Sequence, residues 1–242
     1  MRDIRVLLAN PEGAVNIGFI ARAMANTGFS DLFLSGKLNP ANPTALKYAL
    51  AAENILQNTV RCSGFDDLIS HADKIVGVSM RTPETSHANI GLEELGSYIN
   101  ECRENGLTVG LLFGNEKAGL SNTQLASCAK YISLDTSDTF PSMNLAQAVL
   151  VVLWQIKNIP PKNIAETEYA GRKIHDALNN KIEQFLKMFG CLNPQNPEKI
   201  MNEIKQAAES KVFTAREAEL ILSVLGKAIA EHNILLKKTG KI

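Results

Sequence analysis

LLFGNEKAGLSNTQLASCAKYISLDTSDTFPSMNL, residues 111–145, contains two short apolar runs that each end in a loop of small and polar residues. The first run leads into GNEKAGLS at 114–121, and the second run, 131–134, leads towards PSMNL at 141–145. Ligands of open α/β sheets bind outside the carboxyl ends of the strands, where small residues let the backbone approach them. The stretch therefore predicts two strands with a candidate cofactor site at their ends; two ordinary strand-to-helix turns are the alternative.

Short apolar runs alternate with helical patterns along the first 160 residues. Strands are predicted at 4–9, 32–35, 59–62, 74–79, 108–113 and 131–134. Helices are predicted at 15–27, 44–52, 65–71, 91–105 and from 145 to about 157. Such alternation predicts an α/β fold with a mainly parallel sheet that is covered by helices.

The pattern changes after the proline pair at 160–161, which cannot continue a helix. Beyond residue 169 no segment has a strand pattern, and helices are predicted at 172–189, 197–209 and 214–237. Thr214 and Glu217 form a capping-box pattern at the start of the last helix. The sequence therefore predicts an α/β domain of residues 1–160, followed by an all-α domain of residues 161–242.

The composition is typical of a globular protein, because 45% of the 242 residues are apolar and 21% are charged. The formal net charge is zero, whereas nucleic-acid-binding proteins usually carry a basic excess. An RNA partner would therefore need a local basic patch. No apolar run approaches the roughly 18 residues of a membrane span, and the N-terminus lacks a signal-peptide pattern. We expect a cytoplasmic protein without a membrane partner.

The cysteines and histidines fall into no recognisable metal-binding or catalytic pattern. No CxxC pair occurs among Cys62, Cys102, Cys128 and Cys191, which argues against a metal cluster and fits a reducing compartment. Neither metal-ligand spacing nor a neighbouring nucleophile is found for His71, His87, His175 and His232, so a Ser-His-Asp hydrolase has no support. GNEKAGLS matches neither GxGxxG nor the P-loop pattern. We expect no metal ion.

Several polar side chains near the predicted strand ends have both a functional and a structural interpretation. Arg22 could bind a phosphate through its guanidinium fork, or it could simply be solvated on a helix face. Asn16 is the type of residue that caps a helix. Glu116 suits a cap or a salt bridge as well as a substrate contact, and Ser142 and Asn144 are common in caps and turns. The residue types alone leave these alternatives open.

Three segments together resemble the SpoU branch of the SPOUT RNA methyltransferases. They are NIGFIARAM at 16–24, LFGNEKAGLS at 112–121 and PSMNLAQAV at 141–149, and they occur in the order of that family's three motifs. This resemblance covers residues 1 to about 157. The helical region is similar to that of the TrmJ-type tRNA ribose methyltransferases, at the turn around Phe189 and at PEKIM, 197–201.

The resemblance implies a fold, a cofactor and a reaction. The fold would be an α/β sheet with a deep trefoil knot at its carboxyl side, which would bind S-adenosylmethionine. The chain would work as a homodimer in which each active site is completed by the partner chain. The reaction would be methyl transfer to a ribose 2′-OH at position 32 of the tRNA anticodon loop, with no DNA partner. A ribosomal RNA methyltransferase and a non-catalytic knotted RNA-binding protein are the alternatives.

The resemblance also implies roles for individual residues. The catalytic residues would be Arg22, Glu116, Ser142 and Asn144. The cofactor would be bound by Ser79, Met80, Arg81, Gly114, Leu134, Pro141, Ser142 and Met143. The sequence departs from the family at one point, since relatives often carry arginine where Asn115 or Lys117 stands. Because arginine is a poor base, we expect Arg22 to stabilise the forming alkoxide and to bind an adjacent phosphate.

Overall fold

A computed structural model describes residues 3–79, 89–134, 136–137, 139–159, 170–192, 197–211 and 213–238. Seven parallel strands form one sheet in the order β3-β2-β1-β6-β4-β7-β5. They are β1 (Ile4–Ala9), β2 (Leu32–Ser35), β3 (Val60–Cys62), β4 (Lys74–Ser79), β5 (Asn89–Ile90), β6 (Val109–Phe113) and β7 (Lys130–Ser133). The α/β class and the parallel sheet predicted from the sequence are confirmed. The two-residue strand β5 was not predicted.

The central strand β6 is apolar along its whole length because both faces of the sheet are covered. In β6 every residue is buried, and β6 lies between β1 and β4 with Leu8 and Val78 in register with Phe113. Alternate residues of β1 enter different cores. Leu8 packs into the core beneath the longer helices, and Leu7 packs into the core on the opposite face.

Seven α-helices accompany these strands in the described part of the first 159 residues. They are α1 (Ala14–Thr27), α2 (Pro43–Ala49), α3 (Glu53–Gln57), α4 (Phe65–Ser70), α5 (Leu95–Glu104), α6 (Asn122–Ala126) and α7 (Leu145–Ile156). Helix α1 ends at Gly28, whose φ of 81° suits glycine. Helices α1, α5 and α7 cover one face of the sheet, and α4 and α6 cover the other.

Three further helices follow: α8 (Arg172–Met188), α9 (Pro197–Glu209) and α10 (Ala215–Lys238). Their bounds agree closely with the bounds predicted from the sequence. Helix α8 packs against α9 and α10, and α9 contacts α6. None of the helices in the described ranges is long and apolar enough to cross a membrane.

Two adjacent residues at the amino end of β4 connect the sheet to these C-terminal helices. The Asp73 carboxylate accepts a hydrogen bond from the Arg172 N–H in the first turn of α8, at 3.1 Å. The Lys74 ammonium donates to the carbonyl oxygens of Glu209, the last residue of α9, and of Lys211 just beyond it, at 2.9 and 2.6 Å. A negatively charged side chain therefore faces the amino terminus of α8, and a positively charged side chain faces the carboxyl terminus of α9, as the helix dipoles favour.

Candidate active site at the carboxyl ends of β4 and β6

A cavity of about 340 Å³ opens where β4 and β6 end, in front of the amino terminus of α7. Its wall combines backbone of the loop after β6 with apolar side chains of the strand ends and of α7. The lining residues are Val78, Ser79, Phe113, Gly114, Asn115, Glu116, Lys117, Ala118, Gly119, Pro141, Ser142, Met143, Leu145 and Ala148. A concave, mostly apolar site with a few polar groups is typical of a pocket for a small molecule.

The loop after β6 is a tight turn that requires glycine at two positions. A Cβ atom at Gly114 would collide with the backbone of Gly119 and Leu120. Gly119 itself has a φ of 65°, in the left-handed region. The Asn115 side chain closes the turn, because its Oδ1 accepts from the Lys117 N–H at 2.9 Å. Gly114 and Gly119 both line the cavity, so the tight turn forms part of its wall.

The structure brings most of the expected cofactor residues together. Ser79, Gly114, Pro141, Ser142 and Met143 all line the cavity. Leu134 is 5% exposed and belongs to the hydrophobic core beneath α1 and α7. Met80 and Arg81 lie outside the described residues.

Glu116 holds the loop between β1 and α1 in place. Its Oε2 accepts from the Glu12 N–H at 2.9 Å, and its Oε1 accepts from the Gly13 N–H at 2.9 Å. Burial acts to raise the pKa of Glu116, but the hydrogen bonds from Asn16, Glu12 and Gly13 outweigh burial and lower this pKa. The carboxylate is thus ionised and fully engaged, which suits a residue that positions the loop.

Asn16 joins the three sequence segments into one hydrogen-bonded chain. Its Nδ2 donates to Glu116 Oε1 at 3.0 Å, and its Oδ1 accepts from Asn144 Nδ2 at 2.9 Å. The interpretation of Asn16 as a helix cap is wrong, because α1 begins at Ala14 and Gly13 is its N-cap residue. Asn144 is the residue that caps a helix, since its Oδ1 accepts from the Ala146 N–H at 2.9 Å at the start of α7. The sequence did not reveal the role of Asn16, because its partners are about a hundred residues away.

Arg22 lies on a different part of the surface from these side chains. Its guanidinium carbon is 5.8 Å from the centroid of the Phe19 ring, one turn earlier in α1. The described lining of the cavity contains no residue of α1. Asn16 and Arg22 are six residues apart, so at 100° per residue they point in directions about 120° apart. Within one chain, the structure therefore does not bring Arg22 to the cavity that holds Ser142.

The two residues at this departure from the family pattern, Asn115 and Lys117, make contacts within the chain. Asn115 Nδ2 donates to the carbonyl oxygen of Asn10 at 2.9 Å, where β1 ends. Lys117 Nζ lies 2.7 Å from Glu12 Oε2, and both side chains are largely exposed. Both residues thus help to fix the loops around the cavity, although an exposed ion pair contributes little to stability.

The similarity to known proteins extends over nearly the whole chain. Residues 3–154 match the sequence model of the SpoU rRNA Methylase family. The chain belongs to this family. A relative from Methanocaldococcus jannaschii, tRNA (cytidine-2'-O-)-methyltransferase TrmJ, is 35% identical in an alignment of 226 positions, which covers 91% of this chain and 97% of the relative.

Two further similarities include the C-terminal helices. The tRNA (cytidine/uridine-2'-O-)-methyltransferase TrmJ of Cronobacter sakazakii is 23% identical in an alignment of 243 positions, which covers 96% of this chain and 98% of the relative. The crystal structure of TrmJ from Z. mobilis ZM4 superposes with a TM-score of 0.81 at 25% identity, over 93% of this chain and 98% of that chain. This SpoU-family chain therefore resembles TrmJ proteins along its length, beyond the methylase segment alone.

Proposed function

We propose that this protein is an S-adenosylmethionine-dependent methyltransferase that modifies a ribose 2′-OH of tRNA. The observation that carries the proposal is the convergence of all three SpoU-type segments, through Asn16, Glu116 and Asn144, beside one cavity. Family membership supports methyl transfer to RNA. The relatives named as tRNA methyltransferases, which align over the helical region as well, favour tRNA over ribosomal RNA.

The cavity suits the cofactor in size and in wall chemistry. Its volume of about 340 Å³ falls in the range of about 300–1,000 Å³ that is usual for small-molecule sites. Gly114 lines the cavity, and any side chain there would displace the backbone of Gly119 and Leu120 that shapes this wall. Ser79, Pro141 and Met143 would contact it from the other sides, and Met80, Arg81 and Leu134 belong to the proposed set through the family resemblance.

When bound, S-adenosylmethionine supplies a methyl group that its sulfonium has already activated. The chain must then align the 2′-OH and assist loss of its proton. Ser142 is exposed on the cavity wall, where its hydroxyl can orient the ribose. Asn144 uses both ends of its amide within the protein, so its role is to hold the loop 141–145 beside α7. Arg22 would bind the neighbouring phosphate, whose oxygen would accept the proton of the 2′-OH, and would stabilise the forming alkoxide.

A second copy of the chain would complete the site. Helices α1 and α7 pack side by side and leave an apolar surface exposed, which we call the α1/α7 face. It consists of Val15, Phe19, Leu150, Val151 and Trp154, which are 37–58% exposed. Apolar surface of this extent marks an interaction site, and a two-fold interface would cover the same face on both copies. Arg22 follows Val15 and Phe19 on this side of α1 and would enter the site of the second copy.

The finer assignments belong to the same proposal. Residues 1–160 would form the SPOUT methyltransferase domain with a deep trefoil knot at its carboxyl side, and residues 161–242 would form a helical C-terminal domain. The target would be a pyrimidine at position 32 of the anticodon loop, in the cytoplasm. A 2′-OH target distinguishes RNA from DNA. Because the formal net charge is zero, RNA binding would depend on a local basic patch and would weaken with salt.

The test is transfer of labelled methyl from S-adenosylmethionine to unmodified tRNA and, separately, to ribosomal RNA, followed by nucleoside analysis. We expect a 2′-O-methylated pyrimidine from tRNA, and loss of the product when its position 32 is replaced by a deoxynucleotide. Label in ribosomal RNA alone would favour the alternative substrate. If calorimetry detects no binding of S-adenosylmethionine, the non-catalytic alternative is favoured.

The role of Arg22 has its own test. Arg22→Lys should lower single-turnover methyl transfer strongly, because lysine cannot make the two-pronged contact to a phosphate. Arg216→Lys is the matched control, since the Arg216 side chain is 77% exposed on α10. Nearly full turnover and unchanged RNA affinity in Arg22→Lys would contradict this role.

A further inference from the structure

A thiol, a carboxylate and an imidazole meet at the outer edge of the sheet, in residues that the proposed methyl transfer does not use. Cys62 ends the edge strand β3, Asp67 lies in α4 and His71 directly follows α4. One ligand atom from each side chain lies within 4.8 Å of the other two. The described lining of the methyl-transfer cavity contains none of the three residues.

The spacing between these atoms approaches that of a tetrahedral zinc site. Zinc binds thiolate sulfur at about 2.3 Å and imidazole nitrogen or carboxylate oxygen at about 2.0–2.2 Å, so neighbouring ligand atoms lie about 3.3–3.8 Å apart. His71 Nε2 and Asp67 Oδ1 are already 3.6 Å apart. Side-chain rotations that close the remaining gaps by about 1 Å would complete a three-ligand shell, with water in the fourth position.

The surroundings orient two of these ligands. Both the backbone N–H and the hydroxyl of Ser63 donate to Asp67 Oδ2, at 2.7 and 3.0 Å, which leaves Oδ1 directed towards His71. The His71 ring lies 4.5 Å from the ring of Phe33, and the His71 carbonyl accepts from the Arg5 guanidinium. Hydrogen bonds to the ligands from neighbouring groups are a usual part of metal sites.

Accessibility also fits a metal site. The side chains of His71 and Asp67 are 33% and 41% exposed, whereas Cys62 is 7% exposed. An ion can therefore enter from solvent past His71 and Asp67 and reach the Cys62 sulfur, which is itself shielded from solvent. A surface ion pair between Asp67 and His71 is the simpler interpretation, but such a pair contributes little and does not require a thiol beside it.

We propose that Cys62, Asp67 and His71 bind one Zn²⁺ ion, at a site separate from the methyl-transfer cavity, and that the ion links the edge strand β3 to α4. The zinc–sulfur bond forms as the Cys62 thiol releases its proton to water. Asp67 and His71 bind in their carboxylate and neutral imidazole forms. The ion would stabilise an edge strand of only three residues, which has a neighbour on one side only.

The experiment titrates the metal-free full chain with Co²⁺ in a non-thiol reductant and follows the thiolate-to-cobalt charge-transfer absorption. We expect one Co²⁺ per chain and its displacement by Zn²⁺. Cys62→Ser should abolish the band, and His71→Ala should weaken binding by at least about tenfold. Ser63→Ala, which removes one hydrogen bond to Asp67, should weaken binding by about 10–100-fold.

Cys191→Ser is the matched control, because Cys191 is exposed and lies outside the cluster. This variant should keep the band. The proposal would be overturned by the absence of a charge-transfer band in the wild-type chain, or by a band that survives in Cys62→Ser. His71→Ala changes a partly exposed side chain, so it remains informative if Cys62→Ser folds poorly. Methyl transfer should persist without the metal, which separates this outcome from that of the proposed function.

Discussion

Replacing Lys74 with methionine should loosen the C-terminal helices from the sheet. The Lys74 side chain is 0% exposed, and its ammonium has three neighbours within hydrogen-bonding distance. These are the carbonyl oxygens of Glu209 and Lys211, at 2.9 and 2.6 Å, and His175 Nε2 at 3.2 Å. Methionine has a similar length and removes all three contacts, while the acceptors stay in place.

The loss of unfolding free energy in Lys74→Met can be worked out from the groups that lose Lys74 as a hydrogen-bond partner. A buried acceptor without a hydrogen bond costs about 1–3 kcal/mol, and breaking a buried charge network costs about 3–5 kcal/mol. Glu209 is 1% exposed and keeps Arg172 and Asn179 as partners, which limits the loss. We therefore expect a destabilisation of about 3 kcal/mol, or a fall in Tm of about 6–12 °C for a chain of this size.

Urea unfolding measured with two probes would test this estimate. Far-ultraviolet circular dichroism follows all the helices, and Trp154, the single tryptophan, reports on α7 beside the sheet. In Lys74→Met the helical signal should fall before the Trp154 fluorescence changes. Lys173→Met is the control, because Lys173 is exposed on α8 and its loss should cost less than about 0.5 kcal/mol. Equal midpoints for the two variants would refute the reasoning.

Three further predictions concern the pH dependence, the loop and the dimer. Burial, followed by the charges of Lys74 and Arg172, lowers the pKa of His175 from 6.5 to about 4. Between these two pH values the His175 imidazole is protonated in the unfolded chain but neutral in the folded chain. Stability in urea should therefore fall as the pH drops from 6.5 to 4, and His175→Gln should flatten this slope; an unchanged slope would contradict the pKa assignment. Glu116→Gln should lower single-turnover methyl transfer by about 100-fold, because a displaced loop misplaces the reacting groups; wild-type turnover would exclude its positioning role. Trp154→Glu should convert the dimer to a monomer in analytical ultracentrifugation. Phe189→Glu is the control and should leave the dimer intact, because Phe189 is 43% exposed and lies outside the α1/α7 face. A Trp154→Glu variant that remains dimeric would count against that interface.

The sequence predicted the elements whose pattern is local. The strands β1, β2 and β4 have the predicted bounds, since each is an apolar run between turn residues. The segment predicted as one helix at 44–52 is divided, because Leu50 adopts a φ of 51°. Helix α6 was missed, although Ser121 and Gln124 form a capping box that is readable in the sequence.

The sequence predicted those site residues that lie in the loops directly after strands, but not the contacts between distant segments. Ser142 and Gly114 meet at the cavity because parallel strands end at one edge of the sheet. The contacts from Asn16 to Glu116 and Asn144 depend on tertiary packing across 100 and 128 positions of the sequence. Cys62, Asp67 and His71 were not predicted as a cluster, because their spacing matches no common metal motif; Asp67 and His71 are neighbours along one helix turn, and the packing of β3 beside α4 adds Cys62.

The position of β6 between β1 and β4 has a consequence for synthesis of the chain. Ile4 of β1 pairs with Val109, so the first strand acquires this neighbour only after more than a hundred further residues have been made. Until residues 109–113 leave the ribosome, β1 presents one unpaired edge to other chains and β4 presents two, because both neighbours of β4 follow it in the chain. The cavity, whose walls include the ends of β4 and β6, cannot form earlier. Unpaired strand edges favour aggregation, so slow translation before residue 109 should prolong that exposure.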